Sequence, residues 1–154
     1  MTATIATPLG PFELTASDVG LTRARFAGGD APAAPAHPPA DGPLSEAAAQ
    51  LEAYFAGGLE AFDLPLDLGG TPFQRAVWDA LRAIPYGETT TYRELAARLG
   101  RPAAVRAVGA AVGRTPVPVV VPCHRVLGSD GSLTGYIGGL DRKRALLDLE
   151  QAGG

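Results

Sequence analysis

With 154 residues, 46% of them hydrophobic and 20 Gly and 14 Pro among them, the chain has room for one domain or two small ones with many turns. A single cysteine and two histidines exclude an internal disulfide, a zinc site built on several thiolates and a histidine cluster, and a free thiol suits a reducing compartment. The net charge of −3 hides an asymmetry: residues 1–70 carry 2 Arg against 9 Asp+Glu, whereas residues 71–154 carry 11 Lys+Arg against 7 Asp+Glu, enough for a local basic patch facing phosphates.

The N-terminal stretch MTATIATPLG has no positively charged leader and no long apolar run, so no secretory signal is expected. ATIAT, PFELTAS and GLTRARF, separated by Pro-Leu-Gly and Asp-Val-Gly turns, predict a three-stranded meander. Residues 30–43, DAPAAPAHPPADGP, are rich in Ala and Pro with little to bury, and predict a flexible or polyproline-like loop in which His37 is solvated. PLSEAAAQLEAYFAGG predicts a helix capped by Ser45, with Leu51, Tyr54 and Phe55 on one side and Gly57-Gly58 as its stop. FDLPLDL, residues 62–68, reads as a strand or an extended crossover. A domain boundary is expected at Gly69-Gly70, where the charge balance changes sign, giving domains 1–69 and 70–154.

The second segment is mostly helical. Thr71 as cap and Pro72 at the first helical position open TPFQRAVWDALRAI, whose apolar stripe is Phe73, Val77, Trp78 and Leu81. TYRELAARLG predicts a short helix, and RPAAVRAVGAAVG a second one opening at Pro102; two short helices across a Leu-Gly-Arg-Pro turn are a helix-turn-helix pattern. PVVV reads as extended, GSDGSLTGYIGG as a glycine-rich loop, and LDRKRALLDLE as an amphipathic helix with Leu140, Leu146, Leu147 and Leu149 inward. PVPVVVPC is the longest apolar run, too short for a membrane span and broken by prolines, so a soluble cytoplasmic protein is expected. The fold class expected is α+β: a small N-terminal three-stranded antiparallel sheet with a helix, then a mostly helical domain with a helix-turn-helix.

The lone thiol, Cys123 in VVVPCHRVLG, is either a small buried hydrophobe or a nucleophile. A cysteine attacks only as its thiolate, so activation needs a base or a positive neighbour, and His124 and Arg125 lie within two residues. Neighbouring side chains in a strand point to opposite faces, so either the strand breaks at Pro122 or a water relays the proton. A carboxylate orienting the imidazole would complete a Cys-His-acid arrangement; Glu150, Glu94 and Asp130 are the candidates.

PVPVVVPCHRVLGSDGSLTGYIGGLDRKRALLDLE resembles the active-site region of the O6-alkylguanine-DNA alkyltransferases, in the order and spacing of PCHRV, GYIGG and RKRALLDLE. FQRAVWDALRAIPYGETTTYRELA and RPAAVRAVGAAV look like that family's DNA-binding helices, and the likeness covers residues 70–151, with the first 60 matching in outline. The resemblance implies direct repair. Cys123 takes the alkyl group from O6 of guanine, or from O4 of thymine, once and irreversibly. His124 accepts the thiol proton through a water, Glu150 holds the imidazole, and Tyr92 hydrogen-bonds the leaving guanine. Arg106 would fill the place of the extruded base, with Ala104, Ala107, Arg101 and Thr91 as further DNA contacts and Tyr136, Gly138, Pro118 and Val126 lining the base pocket. No cofactor and no metal are implied; the partner is double-stranded DNA bound with little sequence preference, by a monomer.

One departure stands out. Where the family has Asn-Pro before the active-site segment, this chain has Thr115-Pro116, and a hydroxyl makes fewer simultaneous hydrogen bonds than an amide. That asparagine ties the recognition helix to the active-site turn, so Thr115 inherits a structural link of reduced capacity. Two other functions compete: a non-catalytic sensor of alkylguanine, which would lack the reactive cysteine, and a thiol hydrolase, which would turn over repeatedly.

Overall fold

The computed structural model describes residues 2–26 and 42–152. The Ala/Pro-rich stretch up to residue 41, with His37, lies outside the described residues. The chain divides into two compact units, Met1–Leu68 and Gly69–Gly154.

In the first unit β1 (Thr2–Ile5), β2 (Phe12–Ala16) and β3 (Leu21–Phe26) form an antiparallel sheet in the order β1-β2-β3, the meander expected. Alternation does the sorting: Phe12, Leu14 and Ala16 are buried while Glu13 and Thr15 between them are not. Helix α1 (Pro43–Phe55) lies against β1 and β2 and buries Leu44, Ala47, Leu51 and Tyr54. It begins two residues before Ser45, with Gly42 at the cap position in a left-handed conformation (φ 88°) and Pro43 supplying the first helical residue. Residues 62–68 form an extended crossover: Leu21 donates to the carbonyl of Pro65 at 3.0 Å and accepts from the amide of Asp67 at 2.8 Å.

The second unit opens with α2 (Pro72–Arg82), started as its sequence predicts. The Thr71 hydroxyl accepts from the amide of Gln74 at 3.1 Å, and the Gln74 side chain accepts from the amide of Thr71 at 3.0 Å, a reciprocal capping box. Val77, Trp78 and Leu81 are buried; Phe73 is half-buried, with the Arg101 guanidinium 5.5 Å from its ring centre. After a turn come β4 (Thr90–Thr91), α3 (Tyr92–Arg98) and α4 (Val105–Gly113), and α2, α3 and α4 pack mutually as the helix-turn-helix expected. Helix α4 starts three residues later than its Pro102. Ala104 donates to the carbonyl of Arg101 at 2.9 Å, so 101–104 close a turn that Pro102 favours, and the helix grows from there.

The expected extended run at 118–121 is instead a tight turn. The amide of Val121 donates to the carbonyl of Val117 at 3.0 Å, and Val119 sits at φ 76°, a conformation that a β-branched residue adopts only when its surroundings hold it. Cys123–Arg125 follow as one turn of 3-10 helix, then β5 (Val126–Leu127), which pairs in parallel with β4. Helix α5 (Leu140–Ala152) closes the unit, with a buried face different from the one expected. Lys143, Leu146 and Glu150 point inward, whereas Leu140 is 47% exposed and Leu147 and Leu149 are half-buried. Spacing puts residues 143, 146 and 150 on one stripe, and polar partners inside the unit override the leucine pattern. Among the described residues no helix is long and apolar enough to cross a membrane.

Candidate active site

Pro122 ends the apolar run and the chain coils, so Cys123 and His124 do not face opposite ways as they would in a strand. Both are buried, Cys123 at 3% and His124 at 0% exposure. The imidazole Nε2 lies 2.7 Å from Oε2 of Glu150. A carboxylate facing Nε2 places the ring proton there and leaves Nδ1 with its lone pair, and Nδ1 is buried with no hydrogen-bond partner among the described residues. Of the three candidate carboxylates, then, Glu150 is the one beside the ring. Glu94 accepts from the Thr90 hydroxyl at 3.0 Å, and Asp130 accepts from the Ser132 hydroxyl at 2.6 Å, both away from it.

Sequence reasoning missed the group that holds Glu150. Arg125 grips it with two parallel bonds, Nε to Oε1 at 2.8 Å and Nη2 to Oε2 at 2.9 Å, and spends Nη1 on the carbonyl of Ile84 at 2.7 Å. This planar fork fits a carboxylate as a lysine could not. The signal was present in PCHRV, where a guanidinium follows the imidazole directly.

The electrostatics follow from burial. Desolvation pushes the Cys123 thiol up to about 12 from its ordinary 9.0, opposed first by the neighbouring Thr115 hydroxyl and more weakly by the Lys143 ammonium. Burial lowers His124 below its ordinary range, although the hydrogen bond and charge of Glu150 act the other way. At rest the pair is therefore a neutral thiol and a neutral imidazole, and sulfur must give up its proton in the course of any attack. Thr115 is fully buried, and its hydroxyl donates to the carbonyl of Val112 at 2.6 Å near the end of α4 while also neighbouring the thiol. Its single proton is already committed to the helix end.

The same unit holds a cavity of about 630 Å³, a size usual for a small-ligand pocket, whose walls do not include Cys123, His124 or Glu150. Its walls are Tyr92 and Arg93 of α3, Val105, Arg106 and Gly109 of α4, and Ser129, Thr134 and Gly135 of the loop 128–139. The parallel pairing Thr90↔Val126 and Thr91↔Leu127 brings the start of α3 beside the residues that follow His124 and Arg125. At Gly109 a Cβ would meet the Tyr92 ring at 3.8 Å, so the two helices approach with that ring between them.

The other expected site residues are dispersed. Tyr136, Gly138, Pro118 and Val126 do not line this cavity: Pro118 and Val126 are buried, and Thr134 and Gly135 form the loop wall instead. The Thr91 hydroxyl caps α3 by accepting from the amide of Glu94 at 3.1 Å. Ala104 is the half-buried cap residue of α4, and Arg101 is exposed over Phe73. Ala107 lies in a separate shallow groove of about 240 Å³ with Ala110, Phe73 and Arg114. Beneath α4, the Trp78 indole donates to the carbonyl of Ala111 at 2.9 Å.

Family comparison decides what this arrangement belongs to. The model of the 6-O-methylguanine DNA methyltransferase DNA-binding domain matches residues 72–152, and that of the same family's ribonuclease-like domain matches residues 1–68. The chain belongs to the 6-O-methylguanine DNA methyltransferase family. The methylated-DNA–protein-cysteine methyltransferase of Mycobacterium bovis is 51% identical over 150 residues, 97% of this chain and 91% of that protein. The protein of the same name from Methanosarcina barkeri is 51% identical over 152 residues, 96% and 94% of the two chains. Among solved structures, Mycobacterium tuberculosis OGT in complex with DNA superposes with a TM-score of 0.88 at 49% identity, covering 99% of this chain and 93% of that one. The α+β class read from the sequence stands.

Proposed function

We propose that this protein repairs DNA directly, moving a methyl or other alkyl group from O6 of guanine in duplex DNA, or from O4 of thymine, to Sγ of Cys123 in a single irreversible event. The observation that carries this reading is the His124 ring, held at Nε2 by Glu150 with Nδ1 left open as a base beside the lone cysteine. As the sulfur attacks, the carbon–oxygen bond breaks and a carbon–sulfur bond forms. The thiol proton passes through a water to Nδ1 and is returned to the departing guanine, which leaves as the neutral base with a hydrogen bond from Tyr92. Glu150 steadies the imidazolium formed in passing, and Arg125 steadies Glu150. No group here would cleave the thioether, and no cofactor or metal is required.

The target atom lies inside the duplex, so the base must be turned out at a cost of a few kcal/mol. Helix α4 suits the task. A helix with its side chains is about 10–12 Å across, against about 6 Å for the minor groove, and the exposed Ala107 and Ala110 keep this one slim. Arg106, exposed at the cavity wall, takes the place of the extruded base. Ala104, Ala107, Arg101 and Thr91 contribute to the DNA-facing surface, and Tyr136, Gly138, Pro118 and Val126 back the pocket. Thr115 links the end of α4 to the thiol. In this reading residues 70–154 are the DNA-binding and transfer part, the protein acts as a cytoplasmic monomer, and minor-groove contact makes it indifferent to flanking sequence.

Incubation with a duplex containing O6-methylguanine tests the proposal. Mass spectrometry is expected to find one added methyl per chain, on Cys123, and no further product. Tight binding without transfer would favour a sensor of alkylguanine, and product beyond one equivalent would favour a thiol hydrolase.

A further inference from the structure

One buried charge is not a reacting group in the chemistry above and acts on the thiol only weakly, through its field. Lys143 is 0% exposed, yet among the described residues no carboxylate lies within ion-pair distance of it. Its position is expensive twice over. A desolvated ammonium without a counter-ion is unfavourable, and one in the first turn of α5 also faces the positive end of the helix dipole. What repays this is a set of three backbone carbonyls. Nζ donates to Val126 at 2.6 Å, Thr134 at 2.8 Å and Gly135 at 3.4 Å. Val126 belongs to β5, immediately after the Cys123–Arg125 turn, while Thr134 and Gly135 form the loop wall of the cavity. The rest of that loop is tied by short-range bonds, Arg142 Nη1 to the carbonyl of Gly138 at 3.1 Å and the amide of Gly139 to the carbonyl of Tyr136 at 3.0 Å. Apart from the tight turn at 128–132, its Leu133 and Tyr136 are only half-buried, and Ile137 is 52% exposed.

We propose that Lys143 is a positioning residue for the base pocket: its ammonium gathers the carbonyls of Val126, Thr134 and Gly135 to one point and so sets the distance between the attacking turn and the opposite wall. The inference rests on the alkyl-transfer reading and deepens it, because it assigns the pocket's width to a side chain that touches neither base nor sulfur. A charged donor is suited to this. Its bonds to carbonyls are stronger than those of a neutral amide, and its three protons match three acceptors.

The test uses the full chain and free O6-benzylguanine, which needs no base extrusion. The half-saturation concentration and the limiting rate of Cys123 benzylation are measured for the parent, Lys143→Met and Lys143→Arg. Losing the clamp is expected to raise the half-saturation concentration about tenfold while the limiting rate changes less than about threefold, with Lys143→Arg recovering most of the loss. Amide hydrogen exchange in Lys143→Met is expected to quicken over residues 128–139 and not in α2–α4. Unchanged saturation with unchanged exchange, or a fall in limiting rate alone, would overturn the proposal. Should Lys143→Met not fold, Lys143→Gln is measured in the same way, and global unfolding of both would also overturn it by making the ammonium a requirement of the whole core. A parent protein that takes up neither this benzyl group nor the methyl group of an O6-methylguanine duplex would defeat the alkyl-transfer reading instead, leaving the exchange pattern to judge the clamp.

Discussion

Helices α4 and α5 belong to the same unit and obey opposite rules. α4 buries Val108, Ala111 and Val112 and sends its only long polar side chain before the C-terminal cap, Arg106, into the open. α5 turns Lys143 and Glu150 inward with one fully buried leucine, Leu146, between them and leaves Leu140 outside. The first helix is built to be touched, so its interior can be ordinary. The second supplies charges to a buried site, and each has its partners there: Arg125 and His124 for Glu150, three carbonyls for Lys143. Charge inside is costly unless paired, so its presence on one face of α5 marks chemistry more surely than any surface charge.

Substituting a charge on each helix should therefore produce opposite symptoms. The largest effect is expected at Glu150→Gln, which leaves the buried Arg125 guanidinium without its anion. Denaturant unfolding should show a loss of about 3–5 kcal/mol, and alkyl transfer should slow by about 10²-fold. On α4, Arg106→Ala should leave stability within about 0.5 kcal/mol of the parent, because the side chain is exposed. Transfer from duplex DNA is expected to fall by about tenfold and benzylation by free O6-benzylguanine far less, since only the duplex needs a base extruded. Equal losses on both substrates would erase the distinction between the helices.

The buried thiol gives the comparison a pH axis. Its folded pKa is raised from 9.0 to about 12, so its contribution to stability is intact below pH 9 and is lost as the pH climbs from there towards 12. The slope is at most about 1.4 kcal/mol per pH unit, and unfolding of Cys123→Ala followed over the same range should lack it. The smallest effect concerns α2, away from the buried charges. Thr71→Ala removes the capping box and should cost about 1 kcal/mol with transfer unaffected.

The same contrast explains what could be read from the chain. The start of helix α2 was legible to the residue because Thr71, Pro72, Gln74 and the Val77-Trp78-Leu81 stripe all act locally. The three strands were legible by alternation. Cys123 and His124 stood out by chemistry, but Glu150 was one carboxylate among three until the family likeness favoured it. Nothing local says that Arg125 will find Glu150 25 residues on, or that Lys143 will reach back to Val126; those contacts exist only once the chain has closed. The inward spacing of Lys143, Leu146 and Glu150 carried a signal, masked by the three other leucines of the helix. Likewise the turn at Val119 defeats its own composition, since three consecutive valines read as a strand.

The chain has one tryptophan, and its indole nitrogen is fastened to the carbonyl of Ala111. The molecule thus carries a native optical reporter seated under the helix proposed to enter DNA. Emission from Trp78 senses the polarity and hydrogen bonding at that junction. A shift in wavelength on mixing with duplex would time any displacement of α4 without a dye, and its absence would say that the helix docks as a rigid body.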